Sequence, residues 1–565
     1  MKDFKKSTIY QIYPKSFKDS NGDGIGDING VIEKLDYLNE LGVDYIWLTP
    51  FYRSPQNDNG YDVADYTSID PVFGTMDDFE RLVKEANLRD IQIMLDMVFN
   101  HTSTEHEWFQ KALAGEKEYK DYYIFKKSKD GEPPTNWISK FGGSAWEYVA
   151  EHDEYYLHLF DRTQADLNWE NPRVRQEIFN VVNFWMDKGV KGFRLDVINL
   201  ISKPDFYEND NDGDGRCFYT DGPKIHQFLK EMNEETFGKD VEVMTVGEMS
   251  STTIDHCIKY SSPVEKELSM VFSFHHLKVD YKDGEKWSLA DFDFRQLKEI
   301  LSSWQNGMQE GNGWNALFWC NHDQPRIVSR FGDDQEYHKE SAKMLATAIH
   351  MLRGTPYIYQ GEEIGMTNPK FNDIGQYRDV ESINYYNILK EAGKDEKEII
   401  EILQAKSRDN SRTPMQWEDT EHAGFTKGTP WISVPDNAKV INTEHALKDQ
   451  GSIFHHYQKL IFLRKKHDII AYGGYQEILG DHDQLFAYVR GYEDEKLLVI
   501  NNFYAKEASF EIPKDIDLFG YSSELLLSNY IDSKELAGDF ILRPYESVVY
   551  LLKKDKEQTK KNILW

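Results

Sequence analysis

Residues 91–101 read IQIMLDMVFNH, and this stretch decides what the rest of the chain should build. Apart from Gln92 and Asp96 the run is apolar up to Phe99, and it then ends in Asn100 and His101. A continuous apolar run of this length fits a strand buried on both faces, as in a parallel sheet wrapped by helices. Seven other runs share the design: STIYQIYP from Ser7, VDYIWLTP from Val43, GFRLDV from Gly192, VEVMTVGEM from Val241, LSMVFSFH from Leu268, WNALFWCNHD from Trp314 and TPYIYQGEE from Thr355. Helix-patterned stretches separate them. Such alternation predicts parallel strands joined by crossover helices, and eight units are the number that closes a barrel.

The expected fold class is therefore α/β, a (β/α)8 TIM barrel, with its active site at the C-terminal strand ends. Two departures are legible. The interval from His101 to Gly192 is too long for one crossover and contains the Pro-, Gly- and Trp-rich stretch DGEPPTNWISKFGGSAW, residues 130–146, which marks an inserted subdomain after the third strand. After the helical pattern SIFHHYQKLIFLRKKHDII from Ser452, alternating runs such as QLFAYVR, KLLVINNF and ESVVYLL predict a C-terminal antiparallel β-domain. The expected boundaries are 1–102 and 171–475 for the barrel, 103–170 for the insertion and 476–565 for the β-domain. The charged tail KKDKEQTKKNILW is expected to fray.

Composition excludes several classes of function. With 97 acidic and 66 basic residues the formal net charge is -31, which opposes nucleic acid and anionic membrane as partners. Thirteen Trp and 33 Tyr exceed what a core requires and suit sugar binding. Cys217, Cys257 and Cys320 are too few and too scattered for a disulfide framework or a thiolate metal site. The N-terminus lacks a signal-like apolar stretch and no run of 18 apolar residues occurs, so a cytoplasmic, monomeric enzyme is expected, without organic cofactor.

Three runs end in an acid: Asp196, Glu248 and Asp323. Any one could be a helix cap. On separate strands of one barrel they converge on its mouth, together with His101, Arg194 and His322, and that set has the make-up of a glycosidase centre. The chain here resembles the α-amylase family, glycoside hydrolase family 13, through DMVFNH at Asp96, QADLN at Gln164, GFRLDV at Gly192, GEM at Gly247, NHD at Asn321 and GTPYIYQGEEIG at Gly354. The resemblance implies a retaining double displacement with Asp196 as nucleophile, Glu248 as general acid/base and Asp323 stabilising the distorted sugar. Arg194, two residues before Asp196 on the same strand face, is expected to orient it and depress its pKa. His101 and His322 would hydrogen-bond sugar hydroxyls, although a lone His is more often a satisfied core residue.

Within the family, NDNGYDVADY at Asn57 and RDNSRTPMQW at Arg408 resemble exo-acting members, which implies that Asp58 and Arg412 grip the terminal glucose while Tyr61 stacks beneath it. Val197, directly after the nucleophile, resembles members acting on linkages other than α-1,4. DSNGDGIGD places Asp19, Asn21, Asp23, the Ile25 carbonyl and Asp27 at alternating positions round Gly24, much as a calcium loop begins, and a structural Ca2+ is expected there. Asp210, Asp212, Asp214 and Asp221 repeat the spacing but read as an acidic surface loop. The His pair after Phe454, inside a predicted helix, has no partner acids.

The stretch FHHLKVDYKDGEKW, residues 274–287, follows the sixth strand run and so opens over the barrel mouth. Its charges alone describe a mixed-charge loop. With GDGRCFYTDGP at Gly213 and QIYPKSF at Gln11 it is similar to family members that hydrolyse the α-1,1 bond of trehalose 6-phosphate to glucose and glucose 6-phosphate. That resemblance implies a sugar-phosphate substrate, with His275, His276, Lys278, Lys286 and Arg216 as candidate phosphate ligands. The alternative is an oligo-1,6-glucosidase activity on isomaltose and isomalto-oligosaccharides, which would use the same acids. A non-catalytic, transporter-associated reading would require loss of those acids, which are intact.

Overall fold

A computed structural model describes residues 2–128, 131–211, 213–514, 520–533, 535–536 and 538–554. Each of the eight runs contributes a strand to one parallel sheet: β1 (Ile9–Ile12), β2 (Tyr45–Leu48), β3 (Gln92–Met97), β4 (Gly192–Leu195), β5 (Met244–Glu248), β6 (Met270–Phe272), β7 (Ala316–Leu317) and β8 (Thr355–Tyr359). Their neighbour order is β6-β5-β4-β3-β2-β1-β8-β7. A single parallel bridge, Val271 to Asn315, joins the two ends and closes the ring. Residues of β1 to β6 are buried almost without exception, as the continuous apolar runs require.

Local chemistry sets the wrapping helices. Thr75 and Asp78 form a reciprocal capping box at the start of helix Met76–Asn87, which then lays Phe79, Leu82, Val83 and Ala86 on the barrel. The inserted stretch carries a three-stranded antiparallel sheet, Phe125–Lys127, Glu154–Leu157 and Trp146–Val149, while His101–Ser103 pairs antiparallel with Gln164–Asp166. Trp137, Trp146 and Leu159 of the insertion share an apolar cluster with Val197, Leu200 and Tyr219, which follow β4. The insertion is thereby seated over the barrel mouth, beside the nucleophile strand.

At the C-terminal end, helix Ile453–Lys466 leads to a five-stranded antiparallel sheet in the spatial order Gly474–Ile478, Leu485–Tyr492, Glu495–Asn502, Ser547–Lys554, Tyr521–Ser528. The Arg490 guanidinium donates to the carbonyls of Ile470 and Met351, and Arg464 donates to those of His350 and Gly354 at 2.7 and 2.8 Å. Both fix the turn that enters β8. His456 sits in the same helix with Nε2 on Thr347 Oγ1 at 2.8 Å, a packing role. Among the described residues no helix is long and apolar enough to cross a membrane.

Candidate active site

Strand β4 ends at Leu195, and the chain turns sharply through Val197, whose φ of 36° and ψ of 39° lie in the left-handed region that a branched side chain rarely adopts. The turn aims the Val197 N–H at Glu248 Oε2, 3.1 Å away at the end of β5. Arg194 completes the centre. Its Nη1 donates to Asp196 Oδ1 at 2.6 Å and Asp96 Oδ1 at 2.7 Å, and its Nη2 to Glu248 Oε2. Trp47 Nε1 and Tyr61 Oη donate to the other Asp96 oxygen at 3.1 and 2.9 Å.

Three carboxyl groups therefore share one guanidinium. Burial pushes Asp196 well above the ordinary carboxylate range; Arg194 opposes this, but Glu248 and Asp96 add to it. Burial likewise brings Asp96 up to about 6 against Arg194. Arg194 lowers the Asp196 pKa and orients the carboxyl as expected, but loss of solvent and like-charge repulsion outweigh it. Asp196 and Asp96 therefore both hold a proton to higher pH than an exposed carboxyl does.

Asp323, after β7, stands in the opposite field. Burial raises it, yet His322, Arg408 and Arg412 together hold it well below the usual carboxylate range. Arg412 Nη2 lies 2.6 Å from Asp323 Oδ1, and Arg412 Nε donates to the His322 carbonyl at 2.8 Å. Arg412 thus braces Asp323 from below. The cation on Asp58 is instead Arg408, at 2.9 Å, which also reaches Asp379. Arg408 opens the same RDNSRTPMQW run four residues before Arg412. Gln164, which opens QADLN, joins the site through Nε2, 3.1 Å from both Asp58 Oδ2 and His101 Nε2.

The Gln11 amide donates to His322 Nδ1 at 2.8 Å, which leaves the His322 proton on Nε2, 3.4 Å from Asp323 Oδ2. Tyr61 stacks on His322 with centroids 5.0 Å apart. Burial lowers His101 to about 4 and His322 to about 3, so both rings are neutral. A cavity of about 240 Å³ brings together Asp58, Tyr61, His101, Asp196, Glu248 and Asp323.

The cationic candidates separate. Lys278 lines this cavity and, among the described residues, makes no hydrogen bond or ion pair through Nζ. Lys286 lines it too, but its Nζ is held by both Glu381 oxygens at 2.8 and 2.7 Å. His276 points away, with Nε2 on the Phe318 carbonyl at 2.9 Å, and His275 packs on Trp304 with centroids 4.4 Å apart. The expectation that either His holds a phosphate in this cavity is therefore corrected: both are packing residues. Arg216 is mostly exposed and its fork is engaged by Asp214, with Nη2 at 2.6 Å. A residue no motif pointed to, Lys140 of the insertion, lines the cavity with its Nζ 5.3 Å from the Tyr219 ring centre and no anion partner among the described residues. Burial brings Lys140 down to about 8, with Arg216 adding to the effect, and burial and Arg216 lower Lys278 as well.

In the loop of residues 19–27, Asp19 accepts from the N–H groups of Asn21, Gly22 and Gly24 at 2.7–2.9 Å. Asn21 accepts from Asp23 N and Asp23 from Ile25 N, both at 2.9 Å, and Asp27 caps the next helix through Gly30 N at 2.7 Å. Among the described residues no group of three or more His, Cys, Asp or Glu side chains is gathered as round a metal ion. The donor set itself, three carboxylates, an amide and a carbonyl, has calcium chemistry, but Asp19 also accepts from Thr426 Oγ1 and Asp27 from Ser20, so an ion would replace some of these bonds. In the second acidic loop Asp212 lies outside the described residues, Asp214 serves Arg216, and Asp221 accepts from Asn199 and Tyr260 at 3.0 and 2.6 Å, all structural uses.

Comparison with known proteins agrees with this centre. Residues 11–473 match the family described as alpha amylase, catalytic domain, and residues 485–549 match the alpha-amylase SusG C-terminal domain. The chain is 61% identical over 553 residues to a trehalose-6-phosphate hydrolase of Bacillus subtilis, covering 98% of each chain. It is 50% identical to an oligo-1,6-glucosidase of Bacillus cereus, covering 97% of this chain and 99% of that one. The crystal structure of Bacillus licheniformis trehalose-6-phosphate hydrolase superposes with a TM-score of 0.94 at 64% identity, covering 98% of this chain and 100% of that one. With the barrel, the three acids at its mouth and a catalytic-domain match across nearly all of both, the chain belongs to the α-amylase family, glycoside hydrolase family 13.

Proposed function

We propose that this enzyme is a retaining glycoside hydrolase that cleaves the α-1,1 bond of trehalose 6-phosphate, releasing glucose and glucose 6-phosphate. Asp196 attacks the anomeric carbon of the unphosphorylated glucose, and Glu248 gives a proton to the departing oxygen. A glucosyl ester on Asp196 results. Glu248, now a carboxylate, takes a proton from water, which attacks the same carbon and returns Asp196 to its free form. One guanidinium touching both carboxyls supports the short separation of about 5–5.5 Å that retaining chemistry uses. Asp323 stays ionised and faces the developing positive charge, while Asp58 and the neutral His101 and His322 receive sugar hydroxyls.

The observation that carries the substrate is the pair Lys140 and Lys278: two half-buried cations with no anion of their own, among the described residues, in the cavity that holds the acids. A phosphate supplies the missing charge. The deciding experiment compares hydrolysis of trehalose 6-phosphate, trehalose and isomaltose; equal rates on trehalose and its phosphate would remove this reading. Faster cleavage of isomaltose than of trehalose 6-phosphate would leave oligo-1,6-glucosidase, favoured only by the 50% identical relative. The reading extends to a structural calcium on the loop of residues 19–27, to a cytoplasmic setting where a sugar phosphate resides, and to a monomer.

A further inference from the structure

The parallel ladder between β4 and β5 stops at the pair Leu195 and Gly247, one residue short of both catalytic carboxyls. Past that point a side chain takes over the pairing. Asn199, fully buried three residues after Asp196, meets the backbone of Ser250, two residues after Glu248, in both directions: the Ser250 N–H donates to Asn199 Oδ1 and Asn199 Nδ2 donates to the Ser250 carbonyl, each at 2.9 Å. The amide acts as a further rung of the ladder. It is itself pinned, because Nδ2 also donates to Asp221 Oδ1 at 3.0 Å and the Asp221 N–H donates to the Asn199 carbonyl at 3.0 Å. Asp221 in turn accepts from Tyr260 Oη at 2.6 Å, in the helix Ile254–Ser261 that follows β5, and from Thr252 Oγ1 at 3.1 Å. With both amide hydrogens and the amide oxygen engaged, Asn199 has one orientation.

We propose, resting on the retaining mechanism above, that Asn199 is a positioning residue for the proton transfers: its bridge to Ser250 holds the exit of β5, and with it the Glu248 carboxyl, at the working distance from Asp196 and the scissile oxygen. Arg194 cannot set that distance alone. Its guanidinium is shared by Asp196, Asp96 and Glu248, so it draws the acid towards the nucleophile, and the Asn199 bridge fixes the chain that carries Glu248 against that pull. Asn199 acts through Glu248 and touches no reacting atom, so its loss should show in the steps that move a proton and spare those that do not.

The test reads kcat/KM along a series of uncharged substrates, phenyl, p-nitrophenyl and 2,4-dinitrophenyl α-glucoside, together with trehalose 6-phosphate. Phenol and glucose 6-phosphate leave poorly without a proton, whereas 2,4-dinitrophenol departs as a stable anion. Asn199→Ala should lower kcat/KM about ten- to hundredfold on phenyl α-glucoside and on trehalose 6-phosphate, and less than about threefold on the dinitrophenyl compound. On that compound kcat and KM should fall together, because the glucosyl ester on Asp196 waits for Glu248 to take a proton from water. Asp221→Asn, which keeps the shape and removes the charge behind the amide, should tilt the series the same way by about threefold. Glucose, held on the Asp58 side, should inhibit both variants as it does the unmodified enzyme. Equal losses along the whole series, no loss, or glucose inhibition weakened in step with the rates overturns the proposal; so does failure of both variants to fold, which would make the bridge a folding element. The aryl series needs no phosphate, so if the unmodified enzyme leaves trehalose 6-phosphate intact the substrate reading falls by itself and the Asn199 comparison still decides.

Discussion

Replacing Lys278 by Met removes one charge from the cavity and keeps most of the side chain's length. A hydrogen bond to a charged group is worth about 1.5–3 kcal/mol, and 1.4 kcal/mol is a decade, so loss of one phosphate contact costs roughly ten- to 150-fold in kcat/KM for trehalose 6-phosphate. Two features favour the lower end. Lys278 is only half-buried, so solvent screens part of its charge, and its removal relieves Lys140 and Arg216 of a like-charged neighbour. The expected loss is therefore about ten- to thirtyfold. For p-nitrophenyl α-glucoside, which carries no phosphate, the change should be much smaller. Glucose 6-phosphate formation, coupled to its dehydrogenase, and p-nitrophenol release give the two rates on one preparation. A fall of equal size on both substrates would make Lys278 a prop for the fold, and no fall on either would place the phosphate elsewhere.

Three further outcomes are expected. Lys286→Met, which strips Glu381 of its bidentate partner beside Arg408, should lower kcat/KM on phosphorylated and plain glucosides by the same factor, about tenfold; a loss confined to the phosphorylated substrate would return Lys286 to the phosphate site. Because Lys140 is brought down to about 8, its charge fades above that pH, and KM for trehalose 6-phosphate should climb there while KM for the aryl glucoside stays level; parallel curves would refute the assignment. Chelation of protein shown to start with bound calcium should lower the melting temperature without changing the products formed, and an unchanged melting temperature would deny the loop of residues 19–27 a structural ion.

How much of this could be read in advance depends on how far apart the partners lie. The eight strands were legible because each is a continuous buried run, even β7, where only Ala316 and Leu317 keep ladder geometry. Asp196 and Glu248 were legible because a strand end fixes both position and direction, and Asp323 because it closes the run that begins β7, although the ladder itself stops at Leu317. Direction was lost in the turn after β6, where successive side chains leave at different angles: His276 goes to Phe318, His275 to Trp304, and Lys278 to the cavity. Partnership was lost over distance. Glu381 lies 95 residues from Lys286, and Asp58 lies 350 from Arg408, so neither pairing has a local signature. Lys140 had no signal beyond its place in an insertion.

The Arg490 and Arg464 contacts bear on how the chain is made. The turn that feeds β8 has its carbonyls occupied by Arg464, in the helix before the C-terminal sheet, and by Arg490, within the sheet itself. Tyr488 of the same strand donates to the Ala348 carbonyl at 2.9 Å, in the helix just upstream. A nascent chain that has released β8 from the ribosome still lacks these donors. A chain cut before Gly474 keeps Arg464 but loses the Arg490 and Tyr488 donors, so the carbonyls of Met351 and Ala348 in and before that turn are left to water, and the C-terminal sheet is expected to complete the barrel's last turn.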